Sequence, residues 1–176
     1  MAEPTLPLRD LSAAHAAADQ PDAAIAAFER VCAARFGLRL LTVFAWDAGD
    51  DLCHRIWSNR PDVYPVPAAK KMGPTRWGDT VLRNRQPWCG PTRTHIREAF
   101  FDHALIETLG CGACLSAPVI WQDRVIGAVS VLDAEGAYDQ ADAAALGLMT
   151  WALIPALLAQ KTRPAKQPLP AKETTS

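Results

Sequence analysis

Two β-rich apolar segments stand almost end to end in the last third of the chain, and they constrain the fold more than any other feature. Ala113-Cys-Leu-Ser-Ala-Pro-Val-Ile-Trp121 and Arg124-Val-Ile-Gly-Ala-Val-Ser-Val-Leu132 are separated only by Gln122-Asp123, the spacing of an antiparallel hairpin. Pro118 removes one ladder donor, so the first strand is bulged there or faces a sheet edge. Upstream, Leu38 to Trp46 is apolar on both alternating faces, as a central strand is. Asp47 to Asp51 forms a turn, and Leu52 to Ser58 returns as a second strand.

Helical patterns flank these strands. Asp19-Gln-Pro-Asp22 opens a helix with a cap candidate and an early proline, Ile25, Phe28, Val31 and Cys32 share one face, and Gly37 stops it. Asn59 to Pro74 holds four prolines and one glycine and reads as a long loop. Helical spacing returns at Trp77, Val81 and Leu82, Gln86 to Cys89 is a short extended piece, and Ile96 to Leu109 is a helix ended by Gly110. Asp139 caps a final helix carrying Leu146, Met149, Leu153 and Leu157, with a kink expected at Pro155. The sum is α+β: one antiparallel sheet with helices beside it.

The 176 residues suit a single domain able to bury its own core. A net charge of −1 excludes a globally basic nucleic-acid binder and a highly charged disordered chain. Residues 1–10 read as a flexible leader, 11–161 as the domain, and 162–176, rich in proline and lysine, as a disordered tail. The N-terminus lacks a secretory pattern. The longest apolar run, Leu146 to Leu158, falls short of a membrane span and contains Thr150 and Pro155. Five cysteines, an odd count without export features, favour reduced thiols and a cytoplasmic location.

The stretch from Leu109 to Asp133, with its apolar strand ending in Pro-Val, its turn, and Val125-Ile-Gly followed by an apolar strand to Asp133, resembles the GAF domain family, a PAS-related sensor fold. The resemblance covers roughly residues 21–161. It implies a six-stranded antiparallel sheet with the N- and C-terminal helices together on one face. Loops and short helices from Asn59 to Leu109 would roof a pocket on the other. It also implies a homodimer through the terminal helices. The alanine-rich segments Ala13–Ala34 and Ala143–Leu158 have small-residue faces that suit close helix packing.

Chemistry-bearing groups are sparse. Cys111-Gly-Ala-Cys114 follows a helix end and enters a strand, the reverse of the redox order in which a helix N-terminus activates the thiol. Cys89, His95 and His103 do not complete a zinc spacing with it. The family includes free methionine-(R)-sulfoxide reductases, which use pocket thiols. Here Trp77, in Met72 to Gly78, and Ile106-Glu107-Thr108 stand where that resemblance would place them. A cyclic-nucleotide signature and a phosphate-binding glycine loop are both absent.

Aromatic residues carry more. Of six tryptophans, Trp57, Trp77 and Trp88 fall, with Tyr64 and Phe100 or Phe101, in the segments expected to wall the pocket. Asn59, Arg76, Arg97, Asp102 and His103 supply polar groups, and Lys70-Lys71 flank the loop. Trp46, Trp121 and Trp151 read as structural. The expected ligand site is therefore Trp57, Asn59, Tyr64, Arg76, Trp77, Trp88, Phe100, Asp102 and His103, with no catalytic residue, no metal ligand and no identified cofactor. The expected function is small-molecule sensing by this domain through a dimer or a partner, without nucleic acid or membrane. A thiol-dependent sulfoxide reductase is the first alternative. A protein–protein adaptor whose pocket is filled by tryptophan is the second.

Overall fold

The computed structural model describes residues 5–162. Chain order is α1 (Thr5–His15), α2 (Asp22–Phe36), β1 (Leu40–Asp47), β2 (Leu52–Ser58), β3 (Ala68–Lys71), a π-turn at Gly78–Arg83 and β4 (Trp88–Gly90). Then come α3 (Arg93–Ala99), α4 (His103–Thr108), β5 (Ala113–Trp121), β6 (Arg124–Asp133), α5 (Gln140–Met149), a 3-10 turn at Thr150–Leu153 and α6 (Ile154–Thr162). All six strands form one sheet in the order β3-β2-β1-β6-β5-β4, and every pairing is antiparallel.

Strand alternation sorts the core into two layers. Leu41 and Val43 of β1, Val129 and Val131 of β6, and Leu115, Ala117 and Val119 of β5 pack beneath the helices with Ile25, Phe28, Leu146, Leu153 and Leu157. Leu40, Phe44 and Trp46, with Ala128 and Leu132 and Trp88 of β4, point the other way, against Trp77, Val81, Ile96, Phe100 and Ile106 of the roof. The two-faced apolar pattern of Leu38 to Trp46 arises because both faces of β1 are covered.

The hairpin turns at Gln122 and Asp123, whose φ of +49° and +59° match the twist of the strands they join. Pro118 pairs with Ala128 and lies beyond the end of β4, where that edge of β5 has no strand partner. Asp139 caps α5 in a reciprocal box: Asp142 N donates to its carboxylate at 3.0 Å, and Asp142 Oδ2 accepts from Asp139 N at 3.1 Å. Before Pro155, which has no amide hydrogen to donate, the helix tightens into the 3-10 turn.

Four local expectations are corrected. Asp19 offers α2 its carbonyl, which accepts from Ala23 N at 3.0 Å, and the cap position is Pro21 with no side-chain bond. The leader is partly ordered, since α1 begins at Thr5 and Leu11 is buried against the helical layer. The long loop contains β3, an edge strand of sequence Ala-Ala-Lys-Lys. The single helix from Ile96 to Leu109 is two helices, broken at Phe100–Asp102. The expected tail lies outside the described residues, apart from Thr162.

Gln140–Gln160 is continuous helical structure containing an 18-residue window of mean hydropathy 1.6, long and apolar enough to cross a membrane by length and composition. The sequence pattern alone put this segment below that threshold. Its Ala143, Leu146, Ala152, Leu153, Ala156 and Leu157 pack on the sheet, which gives the apolar side an occupant within the fold.

Candidate functional site

The roof does not fill the space above the sheet completely. A cavity of about 20 Å³, room for roughly one water molecule, lies between the strands and the roof. Its floor is Leu40, Thr42 and Phe44 of β1 with Ser130 and Leu132 of β6, and its sides are Arg55 of β2 and Lys70 of β3. Tyr64, Phe100 and Asp102 close it from the roof.

The floor carries a row of hydroxyls. Ser58, Thr42, Ser130 and Ser116 are register partners across β2, β1, β6 and β5, and all are buried. Ser130 and Ser116 share a 2.8 Å hydrogen bond, and Cys114 Sγ lies 3.4 Å from Ser116 Oγ. Ser116 and Ser130, inside strands otherwise built largely of Val, Leu and Ala, thus satisfy each other sideways across the sheet.

The walls are charged. Tyr64 donates to Asp102 Oδ2 at 3.0 Å, while Asp102 Oδ1 and Arg55 Nε are buried with no hydrogen-bond partner among the described residues. Arg55 donates through Nη1 to the Pro65 carbonyl at 3.2 Å, and its guanidinium lies 4.7 Å from the Tyr64 ring centroid. Lys70 Nζ stands 5.9 Å from the Phe44 and Phe100 rings and 4.9 Å from that of Phe101. Burial lowers the proton affinity of both Arg55 and Lys70, and the negative charge of Asp102 opposes this in each.

The expected site residues divide. Tyr64, Phe100 and Asp102 line the cavity. Trp77 and Trp88 are one ring away: each meets Phe100, at centroid distances of 6.1 and 6.2 Å, and Trp77 also meets Phe44. Trp77 Nε1 is buried without a hydrogen-bond partner among the described residues. His103 is half-buried in the first turn of α4 beside Asp102, and Arg76 is exposed on the roof. Two residues leave the site altogether. Trp57 pairs with Val43 and turns to the helical face, where its Nε1 donates to Glu29 at 2.8 Å. Asn59 ties two strand ends, accepting from Leu41 N at 2.7 Å.

Sequence reasoning missed Thr42, Arg55 and Ser130, and placed Lys70 only as a flank of the loop. Thr42 and Ser130 had a signal, a polar residue in the middle of an apolar strand. Arg55 had none, because a cation in a half-exposed strand reads as solvated surface.

The thiols lie in settings that disfavour the thiolate. Cys32, Cys53, Cys111 and Cys114 are buried and Cys89 is half-buried, and no disulfide joins them. Burial pushes the thiols of Cys32, Cys53 and Cys114 up to about 12 and those of Cys89 and Cys111 up to about 11. Among the described residues no three His, Cys, Asp or Glu side chains are grouped as a metal ion would require.

The fold recurs in solved structures. The GAF domain of a phosphoenolpyruvate-protein phosphotransferase from Acinetobacter is similar, with TM-score 0.71 and 12% identity over 94% of this chain and 100% of that one. The GAF domain of the corresponding protein from Coxiella burnetii gives 0.68 and 15% over 88% of this chain and 92% of that one. A free methionine-R-sulfoxide reductase from Neisseria meningitidis gives 0.57 and 14% over 88% and 87%. Identities this low establish the shared fold only. No curated protein matches the chain by sequence. The family model for the GAF domain matches residues 23–150, from the second residue of α2 to the end of α5 and through every strand between, so this chain belongs to the GAF domain family.

Proposed function

We propose that this chain is a small-molecule-sensing domain that binds its ligand in the cavity between sheet and roof. The observation that carries the reading is the pair of buried atoms without partners among the described residues, Asp102 Oδ1 and Arg55 Nε, on two residues that line that cavity. Burying such groups unpaired is costly, and a ligand that pairs them recovers that cost as binding energy. GAF domains are generally sensory or regulatory. Similar solved structures include a methyl-accepting chemotaxis protein and a GAF domain of a two-component sensor histidine kinase from Bacillus halodurans.

The route outward is short. Thr42 and Ser130 face the cavity, while their strand neighbours Leu41, Val43, Val129 and Val131 face the helices. A ligand that shifts β1 or β6 therefore moves residues on which the helices rest. The break at Phe100–Asp102, between two helices of seven and six residues, is where the roof opens to admit it. A second copy of the chain, docked on the terminal helices in the cytoplasm, reads the shift. Coupling requires only that the ligand favour one helix packing over the other.

A second reading has its own observation. Trp77, Trp88 and Phe100 pack the roof so closely that the cavity holds about one water, as an adaptor with a filled pocket would have it. Native mass spectrometry beside the denatured sample separates the two. Extra non-covalent mass, or thermal stabilisation by a small metabolite with altered tryptophan emission, supports sensing. A protein without added mass, unresponsive to a metabolite panel, overturns sensing and leaves the adaptor.

A further inference from the structure

The cavity walls fix the charge of the ligand. Arg55 and Lys70 contribute two positive charges and Asp102 one negative, leaving the site with one positive charge in excess. Among the described residues neither Arg55 nor Lys70 takes part in an ion pair. A neutral ligand would seal that charge in uncompensated, and a cation would add to it. Lys70 already stands against Phe44, Phe100 and Phe101, so the ring faces that would attract a foreign ammonium are taken.

The hydrogen-bonding groups narrow the ligand further. Arg55 Nε is a buried donor in need of an acceptor, and Asp102 Oδ1 is a buried acceptor in need of a donor. The ligand must therefore present an anionic acceptor and a donor close together. Leu40, Phe44 and Leu132 leave an apolar surface for a short carbon stem. A zwitterion meets the hydrogen bonds but leaves the excess charge; a hydroxy acid meets both demands.

Building on the sensing reading above, we infer that the site takes a short 2-hydroxy monocarboxylate. Its carboxylate lies between Arg55 and Lys70, and its hydroxyl donates to Asp102 Oδ1. Entry requires the roof to part at Phe100–Asp102, because the cavity as closed is smaller than such a molecule.

The test uses the full chain and four probes: glycolate, acetate, glycolamide and glycine. Calorimetric affinity and thermal shift are read on the wild type, Lys70→Met, Lys70→Arg and Asp102→Asn. Glycolate should bind at least about tenfold more tightly than glycolamide or glycine, a measure of charge, and more tightly than acetate, a measure of the hydroxyl. Lys70→Met should remove the preference over glycolamide and Lys70→Arg should keep it, which separates charge from folding. Asp102→Asn should shrink the preference over acetate. Glycolamide or glycine binding as well as glycolate would overturn the charge assignment and leave sensing intact. If all four probes fail while the native spectrum shows another bound molecule, the ligand class is wrong and sensing stands. If all fail and no bound mass appears, both fall together.

Discussion

The Tyr64 hydroxyl donates to Asp102 Oδ2 at 3.0 Å, and so fastens the loop after β2 to the break between α3 and α4. Both ends of this bond lie over the cavity, and it holds the roof shut at the point where the roof has least helical support. Removing the hydroxyl leaves a carboxylate oxygen unpaired. Tyr64→Phe should therefore cost about 1–3 kcal/mol in urea unfolding. Asp102→Ala should cost more, since it also strips the one carboxylate facing Arg55 and Lys70. Equal stability of Tyr64→Phe and the wild type would mean that this bond does not hold the roof.

The thiols predict slow chemistry. With its thiol pushed up to about 11, Cys89 has about one thiolate in ten thousand at pH 7, and the four others are buried besides. In the folded protein, alkylation at neutral pH should be slow, with Cys89 first, and all five cysteines should label rapidly once the chain is unfolded. One fast-labelling thiol in the folded state would revive the sulfoxide-reductase alternative. The same shifts set the pH dependence of stability. Thiols ionise near 9 in the unfolded chain but only at about 11 to 12 when folded. Above about pH 9 the unfolded state releases protons that the folded state keeps, so stability, full below that pH, falls as pH rises through 12. The raised hydroxyls of Tyr64 and Tyr138 act in the same direction. Lys70 and Arg55, lowered by burial, act oppositely but are two groups against seven. Urea midpoints at about pH 7.5 and about pH 10 should show the drop.

At Gly127 the helical layer packs directly on the sheet. A Cβ there would press on the Phe44 carbonyl oxygen and lie 2.7 Å from Leu157 Cδ1. The oxygen belongs to the β1–β6 ladder and cannot retreat without breaking it. Gly127→Ala should destabilise the fold by about 1–3 kcal/mol, read as a lower denaturation midpoint at unchanged slope. A neutral effect would show that α6 can lift from the sheet cheaply.

The same glycine shows why the strands were readable and the roof was not. Val125-Ile-Gly, the hairpin spacing and the capping Asp139 are local signals, each with one physical meaning. The roof is specified by tertiary contacts. Nothing in Ile96–Leu109 marks a helix break: there is no glycine or proline before Gly110. The break comes from Phe100 seating against Trp77 and Trp88 while its neighbour Phe101 is left 78% exposed. β3 was equally silent, since two alanines and two lysines have little strand propensity and pair only because β2 offers an edge. Trp57 was misplaced because the register shift beside Val43 decides which face it takes, and a bulge leaves no mark in composition.

That placement is testable directly. Trp57→Phe removes the bond to Glu29 on the helical face and should cost about 1 kcal/mol of stability while leaving ligand response unchanged. Trp77→Phe, which alters the ring against Phe44 and Phe100, should change both the ligand-induced emission shift and the affinity. A ligand response lost in Trp57→Phe but kept in Trp77→Phe would put the site on the wrong side of the sheet.

The proposed dimer makes the last demand. Leu148, on α5, is 80% exposed, and Trp151, three residues on, is 48% exposed, stacked on His15 of α1 at 6.2 Å. His15 in turn hydrogen-bonds the Ala152 carbonyl at 2.8 Å, so this apolar patch joins α1 to α5 and the 3-10 turn that follows it, the surface that a second copy would cover. Leu148→Glu should leave the monomer's stability within about 0.5 kcal/mol, since an exposed side chain carries little folding energy. It should convert a dimer to a monomer in sedimentation velocity, because it buries a charge at the centre of the interface without a partner. A wild type that sediments as a monomer would remove the dimer and require another partner to read the helices. A Leu148→Glu protein that remains dimeric would move the interface elsewhere on the surface.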